Sequence, residues 1–394
     1  MNWTVFWNTS NNPLKVTTSL QVKIHTRIAD IPAHQWNDLI QDNNPFVRHE
    51  FLHALEKHQC VGEKFGWLPR HLAIYEKDQL IGAMPLYEKY NSYGEFVFDH
   101  AWADAWSRAG LQYFPKLVSA IPYTPAQGQR LLARQATFEK VAPLLLQAAQ
   151  QLAENENMSG CHILFPGTTE QQWLAQQGML TRHDCQFHWH NHGYQNFADF
   201  LATLTAKKRK NIRQERKRVS DSKIQIRILD GHTATETDWE NFTRFYNNTF
   251  NQKWGTATLN QAFFMDVAQQ LPKQVVLVLA DKNQTCIAGS LMYRSDTTLY
   301  GRFWGSDQPI DKLHFEACYY QGIEYCIQHQ LQTFEPGAQG EHKIARGFLP
   351  TLTQSSHWLT DNPFQESIRR YTEHEQQAIA EYIKDCNQHS PYRK

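Results

Sequence analysis

The sequence predicts an α+β fold in which one arrangement of strands and helices is laid down twice. Three observations predict it. Stretches whose apolar residues alternate with polar ones, as on a half-buried strand, are interleaved with stretches whose apolar residues recur every three or four positions, as on a helix face. The order of these stretches in the first half of the chain returns in the second half, as pattern rather than residue identity. The length, 394 residues, exceeds one ordinary core and suits about two domains of roughly 150–200 residues each.

In chain order, residues 1–19 are polar with little periodicity and read as a loose leader. QVKIHT (21–26) alternates as a strand. Pro32 to Gln41 carries a helix-start proline and apolar spacing at Trp36, Leu39 and Ile40, and a second amphipathic helix runs from Pro45. HLAIYE (71–76) and LIGAMPLYEKY (80–90) are strand-like and separated by the turn-prone KDQ. Ser92 to Pro125, rich in aromatics, glycine and proline, reads as strands and shaped loops. Ala136 to Asn155 is helical, CHILFPG (161–167) a buried strand, TEQQWLAQQG (169–178) a short helix and CQFHWHNHG (185–193) a strand. In the second half, Phe197 to Val219 reads as one long helix and KIQIRIL (223–229) as a strand. Trp239–Asn251 and Leu259–Leu271 are helices. QVVLVLAD (274–281), CIAGSLMYRS (286–295) and TTLYGRFWGS (297–306) are strands. Phe315 to His329 is a helix, LQTFEPG (331–337) a strand, and Phe364 to Cys386 a closing amphipathic helix. The expected domains are therefore 20–194 and 195–394, the second opening on the basic helix 197–219, with the boundary near Gly193–Ala198.

Composition narrows the function classes. The chain has 39 basic and 39 acidic residues, so no whole-molecule field draws it to nucleic acid or membrane, and any such attraction is local. Its seven cysteines are scattered and form no CxxC pair, which fits a reducing cytosol rather than a disulfide framework or a zinc site. The first residues lack a charged-then-apolar signal pattern, and the longest apolar runs, such as Val275 to Ala280, are strand-sized; no membrane span is expected. The 12 Trp, 16 Tyr and 22 Phe exceed what a core needs, and such excess also lines clefts.

The element order resembles the GNAT fold, in which the fourth and fifth strands splay and the acyl donor threads the gap. The resemblance sharpens at particular strings. GAQGEHKIARGF (337–348), LYGRFWGS (299–306), LHFEACYYQGIEY (313–325) and FLPTLTQSSHW (348–358) look like the FemAB-like predicted N-acyltransferases, often labelled peptidoglycan biosynthesis/recognition proteins. NPFVRHEFLHALE (44–56), SYGEFVFDHAWADAW (92–106), YFPKLVSAIPYTP (113–125) and KKRKNIRQERKRV (207–219) match the same family. The resemblance implies tandem GNAT-like domains, each a mixed, mostly antiparallel sheet flanked by helices. It also implies a cytoplasmic bacterial enzyme that acylates an amine on a cell-wall precursor or small metabolite. The donor it implies is an acyl-CoA or an aminoacyl-tRNA, which makes tRNA a partner, and no metal is implied.

Transfer of an acyl group to an amine needs a group to take the proton and donors to hold the developing oxyanion. Gly337 and Gly340 bracket a turn after a strand, and Glu341, His342, Lys343 and Arg346 follow. Glu341 and His342 are the expected catalytic residues, and Lys343 and Arg346 suit a carboxylate or phosphate. Strict alternation puts Tyr300, Arg302 and Trp304 on one strand face, as an acceptor cleft would need. His314 and Glu316 open the next helix, where main-chain N–H groups can hold an anion. Here the chain departs from the superfamily: Asp307, Gln308, Pro309 and Ile310 stand where a Gln/Arg-x-x-Gly-x-Gly/Ala loop usually binds the donor pyrophosphate, which leans away from acetyl-CoA. Residues 207–218 hold eight basic residues and one acid; Lys208, Arg209 and Arg213 are the candidates for phosphates of RNA, nucleotide or lipid carrier. Asp99 and Asp104, among aromatics, suit an amine or sugar. His188, His190 and His192 alternate, but no fourth metal ligand is evident. The rival class is a non-catalytic recognition module for peptidoglycan fragments or RNA.

Overall fold

A computed structural model of the chain describes residues 20–252, 255–338 and 340–393; the expected leader at 1–19 lies outside them. In chain order the elements are β1 (Leu20–His25), α1 (Ala33–Asn37), α2 (His49–Lys57), β2 (Trp67–Pro69), β3 (His71–Glu76), β4 (Gln79–Met84), β5 (Tyr87–Lys89), α3 (His100–Arg108), β6 (Lys116–Ser119), β7 (Leu132–Ala133), α4 (Phe138–Asn155), β8 (Gly160–Leu164), α5 (Thr168–Gln176) and β9 (Leu180–His190). They continue as α6 (Phe197–Thr203), α7 (Ala206–Asp221), β10 (Ile224–Leu229), α8 (Glu236–Gln252), α9 (Gln261–Gln270), β11 (Val275–Lys282), β12 (Thr285–Arg294) and β13 (Thr298–Ser306). The last elements are α10 (313–328), β14 (Thr333–Glu335), β15 (Leu349–Leu359) and α11 (Gln365–Gln388). The second turn of α10, Glu316–Tyr320, is π-helical.

The chain divides into two compact units, 1–183 with 353–377, and 184–352 with 378–394. The divisions fall within β9, β15 and α11, so both units are discontinuous, whereas sequence patterning sees only one boundary along the chain.

The first unit holds a four-stranded sheet, β1-β3-β4-β7, and a second group in the order β2-β5-β6-β8-β15. β6 and β8 are parallel. α4 buries Val141, Leu145, Ala149 and Leu152 against Leu72, Ile74, Met84 and Ile163, the apolar stripe its 3.6-residue period provides. Ser92–Pro125 is less strand-like than expected: α3 forms there, because Trp102 and Trp106, one turn apart, bury together against Tyr113 and Ile368.

The second unit is a sheet in the order β10-β11-β12-β13-β14-β9, antiparallel except for the parallel pair β13/β14. Helices cover both faces. α10 places Ala317, Tyr320, Ile323 and Ile327 over Val276, Val278, Met292 and Leu299. α8 and α9 pack an aromatic cluster, including Phe242, Tyr246 and Phe264, on the other face, where Tyr246 meets Phe303 edge-on at 5.1 Å. α8 lies so close that a Cβ on Gly305 would stand 2.0 Å from the Phe245 carbonyl oxygen.

The single long helix expected at 197–219 is two helices. Leu204 takes an extended backbone (φ −82°, ψ 157°), buries its side chain completely and pairs with Tyr392. Thr205 N–H donates to the Pro391 carbonyl and Arg393 N–H to the Thr203 carbonyl. These bonds satisfy main-chain groups that the helix break leaves open.

Replacing Gly305 by alanine should force α8 off the sheet and cost about 1–3 kcal/mol, read as a lowered Tm. Gly167→Ala, where a Cβ meets nothing within 4 Å, should leave Tm unchanged. Equal Tm values for the two variants would refute this packing.

Candidate functional site

In the second unit, β13 and β14 bond over three residue pairs, Thr298 with Thr333, Leu299 with Phe334 and Tyr300 with Glu335. Then they part. Pro336 follows β14 and has no N–H to continue a ladder. β13 runs on to Ser306 alongside β12 alone. Gly301 lies at the point of divergence, where a Cβ would stand 3.1 Å from the Pro336 Cα. The edge of β13 from Gly301 to Ser306 thus has no strand partner on that side among the described residues.

β13 also carries a bulge. Leu291 pairs with Phe303 and Met292 with Gly301, so Arg302 is an extra residue. One inserted residue shifts the alternation, and this corrects the expectation that Tyr300, Arg302 and Trp304 share a face. Tyr300 pairs with Tyr293 and Trp304 with Ser290, neighbours that point to opposite faces of β12. Trp304 turns toward α10, its ring 5.4 Å from that of His314. Arg302 turns toward Tyr293 and Tyr246; burial pulls its pKa down to about 10.

After β14, Gly337 and Gly340 take left-handed backbones (φ 98° and 115°), which glycine adopts without strain. A single 3₁₀ helix, Glu341–Arg346, follows. With three residues per turn, positions three apart eclipse. Lys343 and Arg346 accordingly share the buried side, at 2% and 7% exposure, while Glu341 and His342 are exposed. The Lys343 ammonium donates to the Gly337 carbonyl at 2.6 Å and has no carboxylate partner among the described residues. Burial lowers its pKa to about 8. The Glu341 carboxylate accepts from the Tyr382 hydroxyl of α11 at 2.7 Å.

His342 Nε2 is 2.9 Å from the Tyr319 hydroxyl, and its ring packs among Phe315, Tyr319 and His314. Burial, then Arg346 and Lys343, lower the His342 pKa below the usual imidazole value. Arg346 stacks on Phe315, its guanidinium carbon 3.4 Å from the ring centroid. It also donates to the His342 carbonyl and to Glu215 at 2.8 and 2.7 Å. Glu215 also accepts from the Tyr320 hydroxyl.

The structure therefore brings Trp304, His314, His342, Lys343 and Arg346 into one neighbourhood. It sets Tyr300 and Arg302 on the other side of the sheet. Glu316 is buried and committed: it accepts two bonds from Arg216, which also binds Glu324, and one from Gln321. On α7, Arg213 is exposed and Lys208 half-buried; Arg209 donates to the Leu204 carbonyl at 3.3 Å. Asp99 and Asp104 belong to the first unit. Asp104 is exposed on α3. Asp99 is buried against Lys116, Tyr113 and Ser92, and Lys116 also binds Glu95. Burial alone would raise the Asp99 pKa, but Lys116, His162 and Ser92 outweigh it and hold the carboxyl below its ordinary range. His188 is buried beside Gln186 and His190 is exposed; no group of three or more His, Cys, Asp or Glu able to hold a metal occurs among the described residues. No described helix is long and apolar enough to cross a membrane.

Sequence reasoning missed Tyr319, Phe315, Tyr320, Glu215 and Arg216. One signal was present: Glu215 is the single acid in the basic run 207–218, and a lone acid there has a partner to find. Tyr319 has no such signal, because the π turn that aims it leaves no mark in apolar spacing.

Comparisons with known proteins follow from this geometry. The model of the FemAB-like family, described as peptidoglycan biosynthesis/recognition, matches residues 27–394. Among curated proteins none matches the chain in sequence. Among solved structures, FemX aligns with a TM-score of 0.52 at 11% identity, covering 86% of this chain and 98% of that one. The C-terminal domain of a putative lysylphosphatidylglycerol synthetase from Agrobacterium fabrum aligns with a TM-score of 0.53 at 6% identity, covering 88% and 96%. A tandem GNAT protein from the clavulanic acid pathway covers 87% and 99% at 8% identity, with a TM-score of 0.43. At such identities the likeness is one of fold. The fold is α+β, and with a family model matched along nearly its whole length the chain belongs to the FemAB-like peptidoglycan biosynthesis/recognition family.

Proposed function

We propose that the chain is an N-acyltransferase that moves an acyl or aminoacyl group to an amine, working in the second unit beside the opening between β13 and β14. The observation that carries this reading is the parting of two parallel strands after three residue pairs. An activated acyl donor is an extended chain ending in a carbonyl. Along Gly301–Ser306 no neighbouring strand among the described residues takes the outward main-chain groups, which can bond the donor instead, and the Trp304 carbonyl among them also accepts from the Thr249 hydroxyl at 2.8 Å. Glu341 and His342 stand exposed on the 3₁₀ helix next to this opening and handle the proton and the oxyanion. Lys343 supplies a buried cation lacking a carboxylate, an arrangement that is costly unless an anionic ligand completes it.

The donor we favour is an aminoacyl-tRNA over an acyl-CoA. The loop Asp307–Ile310 lacks the superfamily's pyrophosphate-binding glycines, and the neighbours of like fold include FemX and a protein named for a lysylated lipid. Lys208, Arg209 and Arg213 of α7 would then meet phosphates. The acceptor is a cell-wall precursor or a small amine metabolite reached from the cytoplasm; His314 and Trp304 line its approach. A second reading, a non-catalytic recognition module, is favoured by one observation: Glu316, Arg346 and Asp99 are already engaged in internal ion pairs.

Incubation of the protein with acyl-CoA and aminoacyl-tRNA donors and a panel of amines, followed by mass spectrometry, should reveal an amide product. Glu341→Gln and His342→Ala should each slow its formation by about 100-fold or more, with Tm unchanged. Unimpaired turnover in both variants would sink the assignment, and saturable binding without turnover of any donor would select the recognition module.

The pH dependence follows from Lys343. Its folded pKa is lowered to about 8 by burial, so its charge is present below that pH and lost as pH rises through it. KM for the anionic substrate should therefore climb above pH 8 while staying level below. Lys343→Met should abolish the climb by raising KM at every pH; a wild-type KM flat to pH 9.5 would exclude Lys343 from substrate binding.

A further inference from the structure

We propose that Tyr319 is a positioning residue that holds His342 as its Nδ1–H tautomer, so that this histidine serves as a hydrogen-bond donor to the reacting carbonyl and not as the base. The inference rests on the acyl-transfer reading and divides the labour within that site.

The geometry carries it. The Tyr319 hydroxyl lies 2.9 Å from His342 Nε2, and among the described residues neither group has another hydrogen-bond partner. Tyr319 is 3% exposed. A buried phenol must place its hydrogen on an acceptor, and among the described residues Nε2 is the only one in reach. Donation to Nε2 uses that nitrogen's lone pair, so in a neutral imidazole the proton sits on Nδ1. The pKa directions agree: Tyr319 is raised by burial, and His342 is lowered by burial and by Arg346 and Lys343.

Both rings are fixed. Tyr319 stacks on Phe315 at 6.0 Å and meets Phe348 edge-on at 5.4 Å. The π turn Glu316–Tyr320 sets where Tyr319 emerges from α10. The His342 ring lies over Gly340, where a Cβ would stand 2.3 Å from its Cε1. His342 is exposed, so the Nδ1–H is left for a ligand.

A base needs a lone pair, and this ring has none to spare. A fixed N–H suits the oxygen that gains charge in the transition state. In the transfer, the amine nitrogen bonds to the acyl carbon, whose oxygen becomes an oxyanion held by Nδ1–H. The bond from that carbon to the leaving sulfur or oxygen then breaks and the carbonyl re-forms. The proton shed by the amine passes to the Glu341 carboxylate and on to the leaving group, giving amide and protonated leaving group.

The test is ¹⁵N NMR of the imidazoles in the full-length protein, with His342 assigned by its loss in His342→Asn. Wild type should show the Nδ1–H tautomer at neutral pH, and Tyr319→Phe should move His342 toward Nε2–H. A wild-type Nε2–H tautomer overturns the proposal, whatever the activity. With a turned-over substrate in hand, His342→Asn, whose amide N–H occupies the place of Nδ1–H, should stay within about 10-fold of wild-type kcat, whereas His342→Ala falls by about 100-fold. If Asn is as slow as Ala, the donor role is wrong although transfer stands. If the Nδ1–H tautomer is found but no donor is turned over, acyl transfer is wrong and the tautomer assignment stands.

Discussion

The site in the second unit depends on two parallel strands that cannot stay paired. β13 and β14 have room for a longer ladder on the β13 side, yet they bond for three residues only. Two local features enforce this. Pro336 takes an N–H out of the ladder at the next position, and the extra residue Arg302 adds twist and bend to β13 just where the ladder stops. Gly301 lets the main chains approach closely at the vertex. Each feature is a weakness in an ordinary sheet. Together they turn six residues of β13 into an edge inside a sheet, where the proposed acyl donor would lie.

Charge is distributed around this opening in two different ways. Arg216 is matched by Glu316 and Glu324, and Arg346 by Glu215 and a carbonyl. These pairs tie α7 to α10 and to the 3₁₀ helix, and with their charges met they are framework. Lys343 is different. Lys343 is buried too, but among the described residues a single carbonyl answers its ammonium. An isolated buried cation is tolerated by losing its proton more readily or by waiting for an anion. The lowered pKa of about 8 leaves most of the charge in place at neutral pH, so both descriptions apply at once.

Much of the fold was legible because period-two and 3.6-residue patterns come straight from which side chains are buried. β3, β11, β12 and β13 and helices α4, α8 and α9 fall where that spacing puts them, whereas the one run expected at 80–90 is two strands, β4 and β5, parted by Pro85 and Leu86 and paired into different sheets. What was not legible shares one physical origin: a single residue out of phase. Arg302 breaks the alternation of β13 and separates Trp304 from Tyr300. Leu204 steps out of helical conformation, buries its side chain and pairs with Tyr392. The π turn re-aims Tyr319. Counting apolar residues averages over such slips, and the chemistry of the candidate site rests on two of them. The discontinuity of both units was hidden for another reason, since periodicity carries no information about which distant segments meet.

The 3₁₀ helix at Glu341–Arg346 shows how four functional candidates in six residues come to have two characters. An α-helix would set positions 343 and 346 about 60° apart. A period of three puts 343 and 346 on one side, and the core takes that side. Arg346 then serves the framework and Lys343 lies inside, while the side chains of Glu341 and His342 face outward with, among the described residues, one hydrogen-bond partner each, Tyr382 and Tyr319. The two tyrosines act differently on their partners. A carboxylate that accepts one hydroxyl keeps further lone pairs and can still take a proton. An imidazole that accepts one hydroxyl has none left and can only give a hydrogen bond. Identical donors would thus fit two neighbouring side chains, under the proposed acyl transfer, for different roles, one to accept a proton and the other to hold the oxyanion.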